Sequence, residues 1–160
     1  MKRDLPAADD IADEIFEAVV IQSEQAWKAY PLIRHSYPSV TFDQWSAFTR
    51  RWTRLPRQRG GILAIQDGRG CVHAIFSYRV DSQLLHRRML RVTDLIVGRL
   101  PGRIIDRAIV RNAERLASEV GCHSVLFELP QSKKGIVDPL NRSALEKAGY
   151  APCSISYLRG

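Results

Sequence analysis

Two carboxylates lie inside runs of strand-forming residues, Asp94 within Met89 to Val97 and Glu128 within Ser124 to Leu129. Side chains alternate along an extended chain, so Asp94 is expected to share a face with Leu90, Val92 and Ile96, while Arg91, Thr93 and Leu95 take the other. A carboxylate on such a face either moves protons or pairs with an arginine such as Arg91. Directly after it comes Gly98-Arg99-Leu100-Pro101-Gly102-Arg103, a turn whose glycines and guanidinium groups suit an oxyanion such as phosphate. From there Arg99, Arg103, Arg107, Arg111 and Arg115 recur every four residues, a slowly drifting stripe that Asp106 and Glu114 interrupt only slightly. That stripe suits cofactor phosphates, an acidic partner or an RNA backbone, and equally a face turned to water. No zinc-finger or RNA-binding motif accompanies it, so nucleic acid is the minor option.

Other chemistry is poorly supported. Cys71, Cys122 and Cys153 are odd in number, far apart, and share no metal-ligand spacing with His35, His73, His86 or His123. They are expected to be buried core thiols in a reducing compartment, with no metal. Arginine supplies 19 of the 24 basic residues behind a net charge of +7, a balance that favours anionic partners. At 160 residues, 45% of them apolar and 26% charged, the chain is expected to fold as one domain without staples. No run reaches the ~18 apolar residues of a spanning helix. The acidic, amphipathic start is unlike a signal peptide, so a cytoplasmic protein with no membrane partner is expected.

The elements that must hold these residues can be read in order. Ile11, Ile15, Val19 and Ala26 recur at helical spacing behind Asp9 and Asp10, predicting a first helix that ends before Pro31. Thr41-Phe42-Asp43-Gln44 has the form of a capping box, and Trp45, Phe48, Trp52 and Leu55 then make one apolar stripe closed by Pro56. Strands follow at Ile62 to Ile65 and Val72 to Val80, joined through the hairpin signal Asp67-Gly68, and then at Met89 to Val97. Ile105, Ala108, Ile109, Leu116 and Val120 mark a long helix that Gly121 is placed to end in a left-handed cap. A strand from Ser124 to Leu129, a turn-rich loop from Pro130 to Asp138, a short helix around Asn141 to Ala148 and a last strand near Ser154 to Leu158 complete the order.

This order resembles the GNAT N-acetyltransferase superfamily. Asp94-Leu95-Ile96-Val97 is similar to its central strand, and Gly121-Cys122-His123-Ser124-Val125 to the helix-to-strand junction after it. Glu146-Lys147-Ala148-Gly149-Tyr150 resembles the signature Tyr-Glu-Lys-x-Gly-Phe. The resemblance covers roughly residues 60 to 160. More weakly, Pro31-Leu32-Ile33-Arg34 and Thr41-Phe42-Asp43-Gln44-Trp45 are similar to the helix pair that borders the substrate groove. It implies an α/β fold with a central mixed, mostly antiparallel sheet flanked by helices. Residues 1–58 would supply the N-terminal helix pair and 60–160 the sheet and cofactor-type core. The first strand usual in that family is not obvious here, unless Lys2 to Leu5 supply it.

The resemblance further implies transfer of an acyl group from acetyl-CoA or another acyl-CoA to an amine, on a small molecule or a protein. The backbone of Leu95, Ile96 and Val97 would hold the pantetheine arm. Asp94, with Glu128 as second candidate, would collect the amine proton. The family's Arg/Gln-x-x-Gly-x-Gly/Ala phosphate loop falls on Pro101-Gly102-Arg103-Ile104-Ile105-Asp106, with Ile104 and Asp106 at both late glycine positions. A shifted register would use Gly98, Arg99, Gly102 and Arg103, with Arg107 behind them. Leu145 stands where the family usually carries a proton-donating Tyr. These departures keep a second reading open, a GNAT-like binding or regulatory module, and a homodimer is compatible with either.

Overall fold

The stretch from Gly60 to Asp81 folds into the hairpin that its turn residues predict, and the rest of the sheet is built on it. In the computed structural model, residues 8–85, 87–100, 103–129, 140–154 and 159 are described. Helix α1 (Ala8–Ile15) leads into strand β1 (Phe16–Val20), a 3-10 turn (Ser23–Gln25), α2 (Ala26–Ser36) and α3 (Phe42–Thr53). Strands β2 (Gly60–Asp67), β3 (Val72–Asp81) and β4 (Met89–Val97) follow, then α4 (Ile104–Glu119), β5 (Ser124–Phe127) and α5 (Arg142–Lys147). The five strands lie in the order β1-β2-β3-β4-β5, antiparallel except for the β4–β5 pair, which is parallel and is joined through α4. That is the expected mixed, mostly antiparallel sheet.

Alternation along the strands builds a core on each face of the sheet. Phe16, Leu63, Ile65, Ala74, Phe76, Leu90 and Val92 meet Ala12 of α1 and Ile105, Ile109, Ala113 and Leu116 of α4. On the other face Ile62, Ala64 and Ile75 meet Ala29, Leu32 and Ile33 of α2 and Trp45 of α3. The capping box forms as read: the Gln44 N–H donates to Thr41 Oγ1 at 3.2 Å and the Thr41 N–H to Gln44 Oε1 at 2.8 Å. Trp45 seats the helix pair by donating its indole N–H to the Ala26 carbonyl at 2.7 Å.

The chain departs from its sequence reading at the N-terminus. The single helix expected through Ile11, Ile15, Val19 and Ala26 is broken by β1, because Phe16, Ala18 and Val20 also satisfy strand alternation and Val19-Val20-Ile21 is a β-branched run that pairs with β2. This is a first strand of the sheet; Lys2 to Leu5 lie outside the described residues. Pro31 sits inside α2 and does not end it. The proline removes a donor for the Trp27 carbonyl, and Trp27 lies on the exposed side of the helix, where water is available. The cysteines also differ from expectation: Cys71 and Cys153 are exposed and Cys122 is half-buried. Cys71 closes the β2–β3 turn and Cys122 follows Gly121, whose φ of 73° gives the expected left-handed helix end. The loop 130–138, residues 155–158 of the last strand expected near Ser154 to Leu158, and Gly102 lie outside the described residues.

Candidate functional site

At Asp94 the ladder between β3 and β4 changes register. Ser77 stands opposite Thr93 and Ile75 opposite Ile96, so Asp94 and Leu95 together face Phe76. This is a β-bulge, one extra residue that bends the strand and breaks its alternation. Asp94 takes it up with a left-handed backbone, φ 49°, a region that aspartate tolerates better than most residues. Before the bulge Leu90 and Val92 face α4, and after it Leu95 does so again. The face that Asp94 was expected to share with aliphatic residues is therefore not formed. Its side chain is exposed, and Thr93 Oγ1 donates to its Oδ2 at 3.2 Å.

After Val92, among the described residues, β4 has no strand beside it on the other side. Pairing with β5 runs from Met89–Ser124 to Val92–Phe127, and the N–H of Glu128 on the Val92 carbonyl, 2.9 Å, is the last contact of that ladder. On the β3 side Gly98 donates its N–H to the His73 carbonyl at 2.7 Å. Alternation then turns the N–H and C=O of Val97 toward the β5 side, where no described strand meets them. Gly98 fits this approach closely, since a Cβ there would lie 3.1 Å from the His73 carbonyl oxygen. The fold so brings Asp94 and the backbone of Val97 to one strand edge that no described strand covers, whereas the Ile96 backbone, expected there too, is turned to β3 opposite Ile75; the Leu95 side chain packs into the α4 core and Ile96 into the opposite one.

Glu128 stands beside this opening in a different setting. Arg91 bridges two carboxylates, placing its Nε 2.7 Å from Asp81 Oδ2 and its Nη1 against Glu128 Oε1. The pairing joins β3, β4 and the end of β5. Arg91 appeared from the sequence only as a neighbour for Asp94; its bridging role depends on the register that puts Asp81 beside Met89.

The turn toward α4 is built around a different pair. Arg103, the residue before α4, has a left-handed backbone with φ 52°, and its Nε lies 2.7 Å from Oδ2 of Asp106. The Asp106 side chain is 3% exposed. Both of its oxygens are shut off from solvent without a well-formed hydrogen bond, so the close guanidinium attracts the carboxylate without aligning an N–H on it. Arg99, Arg103 and Arg107 are exposed around this turn. Further along the stripe Arg111 and Arg115 lie 2.9 and 3.3 Å from Asp13, and so tie α4 to α1.

Other polar groups serve the frame. Tyr150 packs edge-on against Phe127 and donates its hydroxyl to Glu114 Oε1 at 3.0 Å. Burial, then the adjoining Glu114 carboxylate, hold its hydroxyl far above the ordinary tyrosine value. Leu145 is packed against the α4 core. At the β2–β3 turn Asp67 takes the N–H groups of Arg69 and Cys71 and lies 2.8 Å from His73 Nε2. The contact with His73, followed by the Cys71 N–H, holds its carboxyl below the usual value. No cluster of three or more metal-ligating side chains occurs among the described residues, and no described helix is long and apolar enough to cross a membrane.

Comparison with known proteins places this geometry. No family model matches the chain, and no curated protein matches it in sequence. Solved structures do. Glucosamine-6-phosphate N-acetyltransferase from Arabidopsis thaliana is 18% identical and superposes with a TM-score of 0.67 over 92% of this chain and 99% of its own. An aminoglycoside N-acetyltransferase in complex with CoA gives 0.70 at 9% identity, covering 91% and 94%. A ribosomal-protein-alanine N-acetyltransferase from Brucella melitensis gives 0.67 at 16%, covering 91% and 98%. The chain has the fold of the GNAT N-acetyltransferases.

Proposed function

We propose that this chain is an N-acyltransferase that moves an acyl group from a pantetheine thioester to an amine. The observation that supports it is the parting of β4 from β5 after Val92, with a Val97 edge beyond the bulge that no described strand covers, in a fold shared with N-acetyltransferases. In such a transfer the amine nitrogen bonds to the thioester carbon, the C–S bond breaks, and the thiolate takes a proton.

The chain's own groups have distinct parts in this. The N–H and C=O of Val97 offer a strand-like pair of hydrogen bonds to an amide-bearing arm, as one strand does to another. Asp94, exposed on the bulge, takes the proton from the amine, directly or through water. Glu128, already paired with Arg91, holds the end of β5 beside the opening. With Leu145 at the position of the family's proton donor and the Tyr150 hydroxyl engaged by Glu114, the thiolate is protonated from solvent.

The Val97 edge supports binding of the arm of acyl-CoA, whereas the residues that open α4 oppose binding of its diphosphate. Asp106 sets a buried negative charge in the first turn of the helix, and Ile104 and Asp106 stand at the two positions where close backbone approach to phosphate needs glycine. No step is assigned to that part of the molecule. Asp106 and Leu145 also favour a second reading, a binding module without turnover. Thiol release from S-acetylpantetheine and from acetyl-CoA, measured over a panel of small and peptide amines, separates the two. Amine-dependent release supports transfer, and its absence across the panel supports the module.

A further inference from the structure

We infer that the start of α4 carries its own anion, so that the chain recognises an acyl donor by its pantetheine thioester arm and not by a nucleotide diphosphate. This rests on the transferase reading above and specifies its donor class.

A helix N-terminus attracts anions through unpaired N–H groups and a partial positive charge of roughly half a unit. Here a carboxylate already stands in the first turn. Asp106 is the third residue of α4, almost entirely buried, with its oxygens closed to solvent. Arg103 adopts a left-handed backbone at the N-cap and lies with its guanidinium on Oδ2. A residue with a Cβ is held in that region only where its surroundings require it. Arg103, which would otherwise be a phosphate ligand of the turn, is thus committed at least in part to the resident carboxylate. A diphosphate approaching the same turn would meet a like charge a few ångströms away in a poorly solvated place, where repulsion is weakly screened. Ile105 is buried in the core and Ile104 packs against it, so the first turn begins with two branched residues and carries no glycine to let a phosphate approach its backbone closely. The β4 edge is formed by a separate set of backbone groups, those of the strand between Asp94 and Val97.

The two ligands that isolate the diphosphate are S-acetylpantetheine and acetyl-CoA, which share the thioester arm. Isothermal titration of the wild-type chain is expected to give dissociation constants within about threefold of each other, and millimolar inorganic pyrophosphate is expected to displace neither. Asp106→Asn keeps the shape and removes the charge. It is expected to strengthen acetyl-CoA binding by about tenfold or more and leave S-acetylpantetheine within about twofold. Acetyl-CoA bound about a hundredfold tighter than S-acetylpantetheine by the wild type would overturn the inference while leaving the thioester reading intact. So would an Asp106→Asn chain with unchanged acetyl-CoA affinity. Binding of neither ligand would overturn both. If Asp106→Asn does not fold, the wild-type pair of titrations decides alone.

Discussion

The N–H of Glu128 donates to the carbonyl of Val92 at 2.9 Å, and among the described residues this is where β5 stops accompanying β4. Five residues of β4 continue past it, and the first two of them carry Thr93 and Asp94. The bulge makes this divergence useful, because it turns Asp94 out to solvent at the mouth of the opening and returns Leu95 to the core.

Asp94→Asn is therefore expected to lower kcat by about a hundredfold, the usual worth of a positioned base, while the urea midpoint stays near wild type because the side chain is exposed. Steady-state kinetics beside urea unfolding checks this. Unchanged turnover would remove Asp94 from the mechanism.

Glu128→Gln should behave in the opposite way. It weakens an exposed ion pair with Arg91, so a stability loss of no more than about 1 kcal/mol is expected, with kcat within about threefold of wild type. A loss as large as that of Asp94→Asn would make Glu128 the proton acceptor.

The hairpin contributes an acid-sensitive element. The carboxyl of Asp67 is held below its ordinary 3.8 by His73 and by the Cys71 N–H, so the folded chain favours the ionised form more than the unfolded chain does. Stability from this group is fully present above the unfolded value and is lost as pH falls below 3.8 through the folded value. Asp67→Asn should flatten that part of the acid limb, as read by urea midpoints taken between neutral pH and the carboxylate range. An unaltered acid limb would contradict it.

At the other end of the pH scale Tyr150 has the reverse sign. Its hydroxyl is raised above 10.0, so the unfolded chain ionises first and stability falls as pH climbs past that value. Tyr150→Phe should remove this alkaline slope and cost about 1 kcal/mol at neutral pH for the lost bond to Glu114. Alkaline unfolding followed by circular dichroism tests both parts.

Trp45→Phe probes the helix pair. Losing the indole N–H leaves the Ala26 carbonyl without that donor and opens a small cavity, for an expected loss of about 2 kcal/mol in denaturant unfolding. A loss within experimental error would mean that α2 and α3 can repack around the gap.

Much of this arrangement was legible in the sequence where local signals and tertiary structure agree. The Thr41 capping box, the Met89–Val97 strand, the long helix and its Gly121 end all stand where the residues predict. Strand β1 was hidden because Ile11, Ile15 and Val19 also fit a helical period, and only pairing with β2 decides between the two. The same limit applies to the site. Asp94 could be placed on its strand, but not its surroundings, since strict alternation cannot foresee a bulge created by the Ser77 and Ile75 register. Asp106 could be recognised as out of place in a phosphate turn, yet its burial and its hold on Arg103 follow from the seating of α4 on the sheet. The Asp81–Arg91–Glu128 bridge joins residues up to 47 positions apart (128 − 81), beyond any local pattern.

The most direct test of the thioester edge is amide hydrogen exchange at Val97, measured by NMR with and without saturating S-acetylpantetheine. The account predicts that this N–H, which faces the β5 side, becomes strongly protected on binding, while Gly98, already bonded to His73, changes little. Equal exchange at Val97 in the two states, with the ligand shown to be bound, would contradict it.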